Sequence, residues 1–403
     1  MINDKEQIKN KYKLTYKKLI LHYAVIGGEI PSNLIKEIVS YGTWKRAINT
    51  GSYKGLLIYK RGEKHQGFQL SSKASDEIKK LPYDYTPYLL KGEIPVKLTN
   101  NRYQRIRNQM RTRFFVFLDA LGIEYMRERI KDSESTFFYD ARLIKKRFEI
   151  QSRDFAREQD REFQILGSRA LGVLKTNDAV FLTYAFEKRL IRLQKSIESR
   201  ITIYAQNLFG NYNYGQLIYC LTTEYATLIA IEIIESIVFP QSKNENNYKT
   251  QLLSYFRSTK KNAFLDSAYR GLHVAGLDNT GIIQTAFFLN QNKVNEFLRT
   301  KLKKEDTAYS REKEQEYIYS IEADGILHGN PCYFLFTLEI KKITRLIYYA
   351  ANNPNIVFNI ILSREYIENG FKRITDIVNR LAYEQLNNIR YISIEQFNLL
   401  DSF

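Results

Sequence analysis

The sequence predicts a chain of mixed α+β and α/β class, helical and basic at the front and built on a mixed sheet behind. Three observations lead there. Apolar residues recur at helical spacing from Tyr16 to about Tyr53 and then give way to short alternating runs at 55–59 and 68–71. From Phe137 onward strand-like and helix-like segments alternate, which predicts βαβ units. Formal net charge is +17 and unevenly spread. Residues 1–80 hold nine more Lys and Arg than Asp and Glu, and residues 97–113 add six cations with no acid. Such a front is the footprint of phosphate-backbone binding.

At 403 residues there is room for two or three domains with sizeable cores. A hydrophobic content of 44% and an aromatic content of 14% describe a folded protein. Cys220 and Cys332 both lie in apolar runs and make no disulfide framework, so a cytoplasmic location is expected. No apolar signal core opens the chain. The longest apolar stretch, Leu217 to Phe239, carries Glu224, Glu232 and Glu235, so no membrane partner is expected. His22, His65, His273 and His328 lack zinc-ligand spacing, and neither a phosphate-binding Gly-rich loop nor a Gly-x-Ser-x-Gly elbow is present.

In chain order, residues 1–13 read as a polar arm. A helix from Tyr16 to Ile26 carries Leu19, Ile20, Tyr23 and Ile26 on one side and is stopped by Gly27-Gly28. Pro31-Ser32 opens a second helix with Leu34, Ile35, Ile38 and Val39. A third, Thr43 to Tyr53, turns Trp44, Ala47 and Ile48 inward and exposes Lys45, Arg46 and Asn49. Strands at 55–59 and 68–71 flank a glycine-bounded hairpin tip, Arg61 to Gly67. Lys80 to Asn101 holds three of the seven prolines and reads as a linker. Asn101 to Leu121 is a helix with Ile106, Met110, Phe114, Phe117 and Leu121 as its stripe, flanked by Arg102, Arg105, Arg107, Arg111 and Arg113. These boundaries predict segments 1–80, 81–136 and 137–403.

Within the last segment, strands are expected at 137–139, 163–166, 167–174 and 178–184, and a helix from Glu187 to Ile203. Leu217 to Val238 reads as strand, helix or both. Gly271, Gly276 and Gly281 punctuate apolar strands before a helix at Gln291 to Leu302, and Lys301 to Glu316 is an exposed connection. Tyr317 to Ile321 alternates like a strand and Asp324-Gly325 closes it. Cys332 to Leu338 is a buried strand running into Glu339-Ile340-Lys341, where period 2 puts Glu339 and Lys341 on one face. A helix through Ile343, Leu346, Ile347 and Ala350, a buried strand at 356–362, a helix at 373–386 and a strand at 389–397 complete the chain.

Two carboxylates on adjacent strand ends can hold a hard divalent cation, and an ammonium beside them can orient water at a phosphate. Asp324 and Glu339 would be the ligands of Mg²⁺ or Mn²⁺, with Lys341 as the amine. The plain alternative is a strand-edge salt bridge beside a solvated Asp.

Helix, helix, turn, helix and two-stranded wing resemble the winged helix-turn-helix. That resemblance implies that Lys45, Arg46 and Asn49 meet double-stranded DNA and that Lys60, Arg61 and Lys64 flank it, with Arg102, Arg105, Arg107, Arg111 and Arg113 as further phosphate contacts. Asp324 with Glu339-x-Lys341, followed by helix and strand, resembles the PD-(D/E)XK (restriction-endonuclease-like) core, although Ala323 stands where that family has Pro. A competing placement uses Asp178, Glu187 and Arg189, with Glu198 as a further candidate ligand. Together with Ser168 to Leu174, Phe181 to Tyr184 and Gly281 to Gln284, the chain resembles the replication-relaxation proteins and endonuclease-like mobilisation relaxases of Gram-positive mobile elements. The resemblance implies origin recognition in front and metal-dependent nicking or relaxation behind, with a coupling or replication protein as a further partner. A non-catalytic initiator, repressor or accessory factor with a degenerate nuclease fold is the other reading. Oligomeric state is left open.

Overall fold

The computed structural model describes residues 15–39, 42, 44–45, 55–61, 65–89, 100–125, 136–143, 170–188, 205, 209–210, 213–238, 269–368, 372 and 387–397. It is a mixed α+β structure with helices and mixed sheets. Two compact units divide it: Met1–Glu187 with Ser196–Gly210, and Lys188–Lys195 with Asn211–Phe403.

The first unit opens with helix α1, Tyr16–Gly27, which starts at the expected residue and stops at the expected glycine pair. Thr15 accepts from the Lys18 amide, and Gly28, at φ 91°, returns its N–H to the Ala24 carbonyl. Strand β1 (Ile30–Pro31) and the short helix α2 (Ile35–Ile38) follow. Strands β2 (Leu57–Lys60) and β3 (Gly67–Leu70) complete an antiparallel sheet in the order β1-β3-β2, with Phe68 opposite both Ile30 and Tyr59. Residues 42, 44 and 45 are helical where the third helix is expected, and the Trp44 ring meets Phe68 edge-on at 4.8 Å. Arg46, Asn49 and Lys64 lie outside the described residues.

A short helix α3 (Ser75–Lys79) precedes helix α4, Arg102–Ala120, which Asn101 caps through the Gln104 amide. α4 packs along α1. The approach is close enough that a Cβ on Gly27 would stand 1.7 Å from Thr112 Oγ1, so only glycine lets the two backbones meet. Strands β4 (Phe137–Asp140), β5 (Gly172–Lys175) and β6 (Ala179–Phe186) run antiparallel beside one another. Their core is aromatic: Phe114 of α4 meets Phe138 of β4 edge-on at 5.0 Å, and Phe115 meets Tyr125 at 4.8 Å. Each such ring stabilises the unit by about 1.5–3 kcal/mol through burial.

In the second unit, β7 (Asn213–Cys220) and β8 (Tyr269–Gly276) run parallel with helix α5 (Thr223–Val238) following β7. The ambiguous stretch 217–238 is therefore strand and then helix. Helices α6 (Asn279–Leu289), α7 (Gln291–Glu305) and α8 (Arg311–Ile321) lead to strands β9 (Gly325–Leu327), β10 (Asn330–Phe334) and β11 (Leu338–Glu339). Helix α9 (Ile340–Asn352), strand β12 (Phe358–Leu362), the short α10 (Arg364–Tyr366) and strand β13 (Ile389–Ser393) end it. β11 joins β8 antiparallel, whereas β9, β10, β12 and β13 form a separate sheet in which β10, β12 and β13 are parallel. β10, helix α9 and the parallel β12 form a βαβ unit, but the strand expected from Cys332 to Leu338 is broken: β10 ends at Phe334, and Leu338–Glu339 crosses to the other sheet as β11.

Three expectations are corrected. Tyr317–Ile321 is the last turn and a half of α8, not a strand. Ser310 caps that helix, and only Ile321 of the five is fully buried while Tyr319 is 85% exposed, so the alternation reflects no half-buried sheet face. The apolar run after Gly281 is helix α6, because Asp278 caps it at the Gly281 amide, 2.9 Å. Lys301 to Glu316 is mostly the end of α7 and the start of α8. The expected strand at 163–166 and helices at 187–203 and 373–386 fall almost wholly outside the described residues, as do Arg189 and Glu198. Among the described residues no helix is long and apolar enough to cross a membrane. Both cysteines are fully buried, and burial pushes both thiols up.

Candidate functional site

Asp324 stands just before β9, with its backbone and one carboxylate oxygen engaged. Its amide bonds the Cys332 carbonyl at 2.9 Å, which closes the β9–β10 hairpin. Oδ2 accepts from the Phe334 amide at 2.7 Å and pairs with the ammonium of Lys342, which also donates to the Phe334 carbonyl at 3.0 Å. Carboxylate and amine thus hold one residue of β10, Phe334, at its amide and at its carbonyl. Arg299 of α7 donates to the Asp324 carbonyl. The amine that meets Asp324 is therefore Lys342, not Lys341.

Glu339 lies on β11, in the other sheet, opposite His273 of β8. Its Oε1 would be 3.0 Å from a Cβ on Gly271, which adopts φ 118°, so that glycine leaves room for the carboxylate. His273 is buried and its Nδ1 is 2.9 Å from Thr337 Oγ1. The strand ends at Glu339, and Lys341 is in the first turn of α9. The shared strand face expected for Glu339 and Lys341 is thus replaced by a strand-to-helix junction. Asp324 and Glu339 belong to different sheets, and Asp324 already holds an ammonium. As arranged they do not fit a two-carboxylate cation site, and among the described residues no three His, Cys, Asp or Glu side chains are grouped to hold a metal. Asp178 and Glu187 sit at the start and just past the end of β6 in the first unit, and Glu187 Oε1 is 3.8 Å from His65 Nδ1.

The basic face of the first unit is more selective than its sequence. Lys45, Arg61 and Arg102 are exposed, and Lys60 is half-buried with its ammonium 3.1 Å from Asn100 Oδ1. Arg113 is half-buried, with a 2.7 Å bond to Asn33, and burial pushes its guanidinium down. Arg105 is a correction: it points into the protein. Its Nε and one Nη bond both oxygens of Glu29 at 2.7–3.1 Å, and the remaining donors reach the carbonyls of Lys60, Arg61 and His65 at 2.7–3.0 Å. Glu29 is fully buried and also accepts from Gln69 and Gln109, each at 2.6 Å. This network locks α4 to the β2–β3 hairpin. Glu29 carried no sequence signal, because a single acid after a Gly-Gly pair reads as a solvated turn.

Arg142, also unforeseen, straddles Asp140: Nε to Oδ1 at 3.1 Å, Nη2 to Oδ2 at 2.7 Å and its own amide to Oδ1 at 2.7 Å. Its guanidinium stacks 4.3 Å over the Tyr88 ring. Burial alone would raise the Asp140 carboxyl, but the charge and hydrogen bonds of Arg142 together with the Arg111 charge outweigh it and the pKa falls below the ordinary value. Arg111 of α4 feels this cluster: burial, with the Arg142 charge next, pushes its guanidinium down to about 9.

Compared with models of known families, with curated proteins and with solved structures, the chain has no match.

Proposed function

We propose that this chain is a DNA-binding protein whose first unit reads duplex DNA as a winged helix. The observation that carries the reading is the order helix, short strand, helix, helical residues 42, 44 and 45, and hairpin, with the hairpin's second strand central in β1-β3-β2. In a winged helix the element that starts at this point enters a major groove with the hairpin beside it. The exposed cations Lys45, Arg61 and Arg102 on this unit and the overall charge of +17 suit a phosphate backbone. Titrating labelled duplex with the full chain at several salt concentrations tests it: binding that weakens steeply with salt supports the reading, and no binding at 50 mM salt refutes it.

For the second unit the non-catalytic role of an initiator, repressor or accessory factor is the better supported. Asp324 is held by Lys342 and the Phe334 amide, and Glu339 stands on another sheet. Metal-dependent nicking or relaxation by a mobile-element protein is the second reading, favoured by Glu339 ending a strand directly before helix α9 and by the parallel pairing of β10 with β12 across that helix. Supercoiled plasmid bearing the parent element's origin, incubated with the protein and Mg²⁺ or Mn²⁺, separates the two. Nicking that disappears in Glu339→Ala and Lys341→Ala establishes the second reading, and binding without nicking the first.

A further inference from the structure

His22 stands in the middle of α1, fully buried, and both of its ring nitrogens are held by tyrosine hydroxyls from elsewhere in the first unit. Nδ1 is 2.6 Å from the hydroxyl of Tyr85, and Nε2 is 2.9 Å from that of Tyr125, just past α4. Tyr125 donates its own proton to Asp119 Oδ2 at 2.8 Å, and Tyr23 donates to the same oxygen at 2.6 Å. Toward His22 the Tyr125 oxygen can therefore only accept, which puts a proton on Nε2. The neutral ring then has a bare Nδ1, and Tyr85 donates to it. Every donor in this chain of bonds has its acceptor.

A second proton on the ring breaks that order. Both nitrogens become donors, and Tyr85 must turn its O–H away. Tyr85 is 3% exposed, and among the described residues its hydroxyl has no other hydrogen bond. Burial pushes its ionisation up, so it keeps its proton and the O–H is stranded. The charges around the ring give the imidazolium little relief. Asp119 is separated from it by the Tyr125 hydroxyl, and Arg142, paired with Asp140, brings a like charge to the Ile26 carbonyl one turn along α1. Tyr83, whose ring centre is 6.2 Å from that of His22, has its hydroxyl ionisation pushed up by burial and by the charges of Asp119 and Glu124. Lys18 on α1 and Asp76 and Lys79 on α3 are exposed, Glu77 of α3 pairs with Lys80, and Glu29 past α1 is held by Arg105.

We propose that His22 is a proton-operated latch: neutral, it fastens the segment around Tyr85 onto α1 and the end of α4, and on taking a second proton it releases that segment. The segment it holds includes the turn Thr86–Tyr88, closed by the Tyr88 and Leu89 amides on the carbonyls of Tyr85 and Thr86. The latch is independent of the duplex-binding reading. A solvent-exposed imidazole takes its proton at about pH 6.5, so the open form gains from acid before the closed form does. The closed segment is therefore fully stabilised above that value and loosens as pH falls through it.

Hydrogen exchange and an NMR titration of the imidazoles in the full chain test the latch. After correction for intrinsic exchange, the Tyr88 and Leu89 amides should be about tenfold less protected at roughly pH 5.5 than at roughly pH 7.5, while amides inside α4 change little. The His22 resonance, identified by its loss in His22→Gln, should titrate below the ordinary histidine value. His22→Gln should remove the pH dependence of the two amides. Should that variant fail to fold, His22→Phe, which fits among the same rings, serves instead, and the parent's own titration still decides. A native His22 that titrates at or above about 6.5 overturns the proposal. So does protection that is level or rises toward acid, the pattern of an imidazolium held by Asp119, or a pH dependence that outlives the loss of the imidazole.

Discussion

Arg105→Met separates a structural arginine from a phosphate ligand. The substitution keeps the apolar stem and removes every donor. Glu29 is then left fully buried with only the Gln69 and Gln109 amides, and the carbonyls of Lys60, Arg61 and His65 lose their shared donor. Breaking a buried ion pair from one side costs about 3–5 kcal/mol, because the surviving charge stays desolvated. For a unit of this size each kcal/mol is worth about 2–4 °C, so the Tm should fall by roughly 6–20 °C. Adding Glu29→Gln removes the orphaned charge and should recover a good part of the loss. The assay is thermal or urea unfolding of both variants, alongside the salt dependence of duplex binding. If Arg105→Met lowers the Tm by less than about 2 °C and flattens the salt slope by about one, the arginine is a phosphate contact and the buried network is wrongly read.

Three further outcomes follow from the same packing. Gly67→Ala would place a Cβ 2.6 Å from Glu29 Oε1 and 2.7 Å from the Ile30 carbonyl, and should destabilise by about 1–3 kcal/mol in urea unfolding. Lys45→Ala and Arg102→Ala, both exposed, should each reduce the salt slope of duplex binding by about one while shifting the Tm by only about 1–2 °C. Asp140 has a depressed carboxyl, so its contribution is complete above the unfolded value of about 3.9 and is lost as pH falls through the lower folded value. Asp140→Asn should therefore lower the Tm at pH 7 and make its further fall below pH 4 shallower than in the parent, measured by calorimetry across that range.

Much of the front half was legible because its signals are local. α1 starts at Tyr16 and stops at Gly27–Gly28, and α4 starts next to Asn101, as the start and stop residues indicate. The alternation of strand and helix from Leu338 to Leu362 also survives in the structure. What failed were judgements that depend on a partner elsewhere in the chain. Period 2 at 317–321 meant nothing without a sheet to face, and the capping Ser310 seven residues earlier was the stronger signal. Arg105 looked like its neighbours on a bare arginine-rich helix, and only Glu29, 76 residues away, turns it inward. At the acidic strand ends the sequence offered adjacent lysines, and Asp324 meets Lys342 where helix α9 begins at Ile340, before the expected strand would end.

The sealed sulfurs of Cys220 and Cys332 have a practical use. With each at 0% exposure and its thiol harder to ionise than usual, neither should react with maleimide in the native state. A cysteine placed at Tyr103, 79% exposed beside Arg102 on α4, would then be the sole handle for a dye, and fluorescence from it would watch nucleic acid arrive without rebuilding the chain.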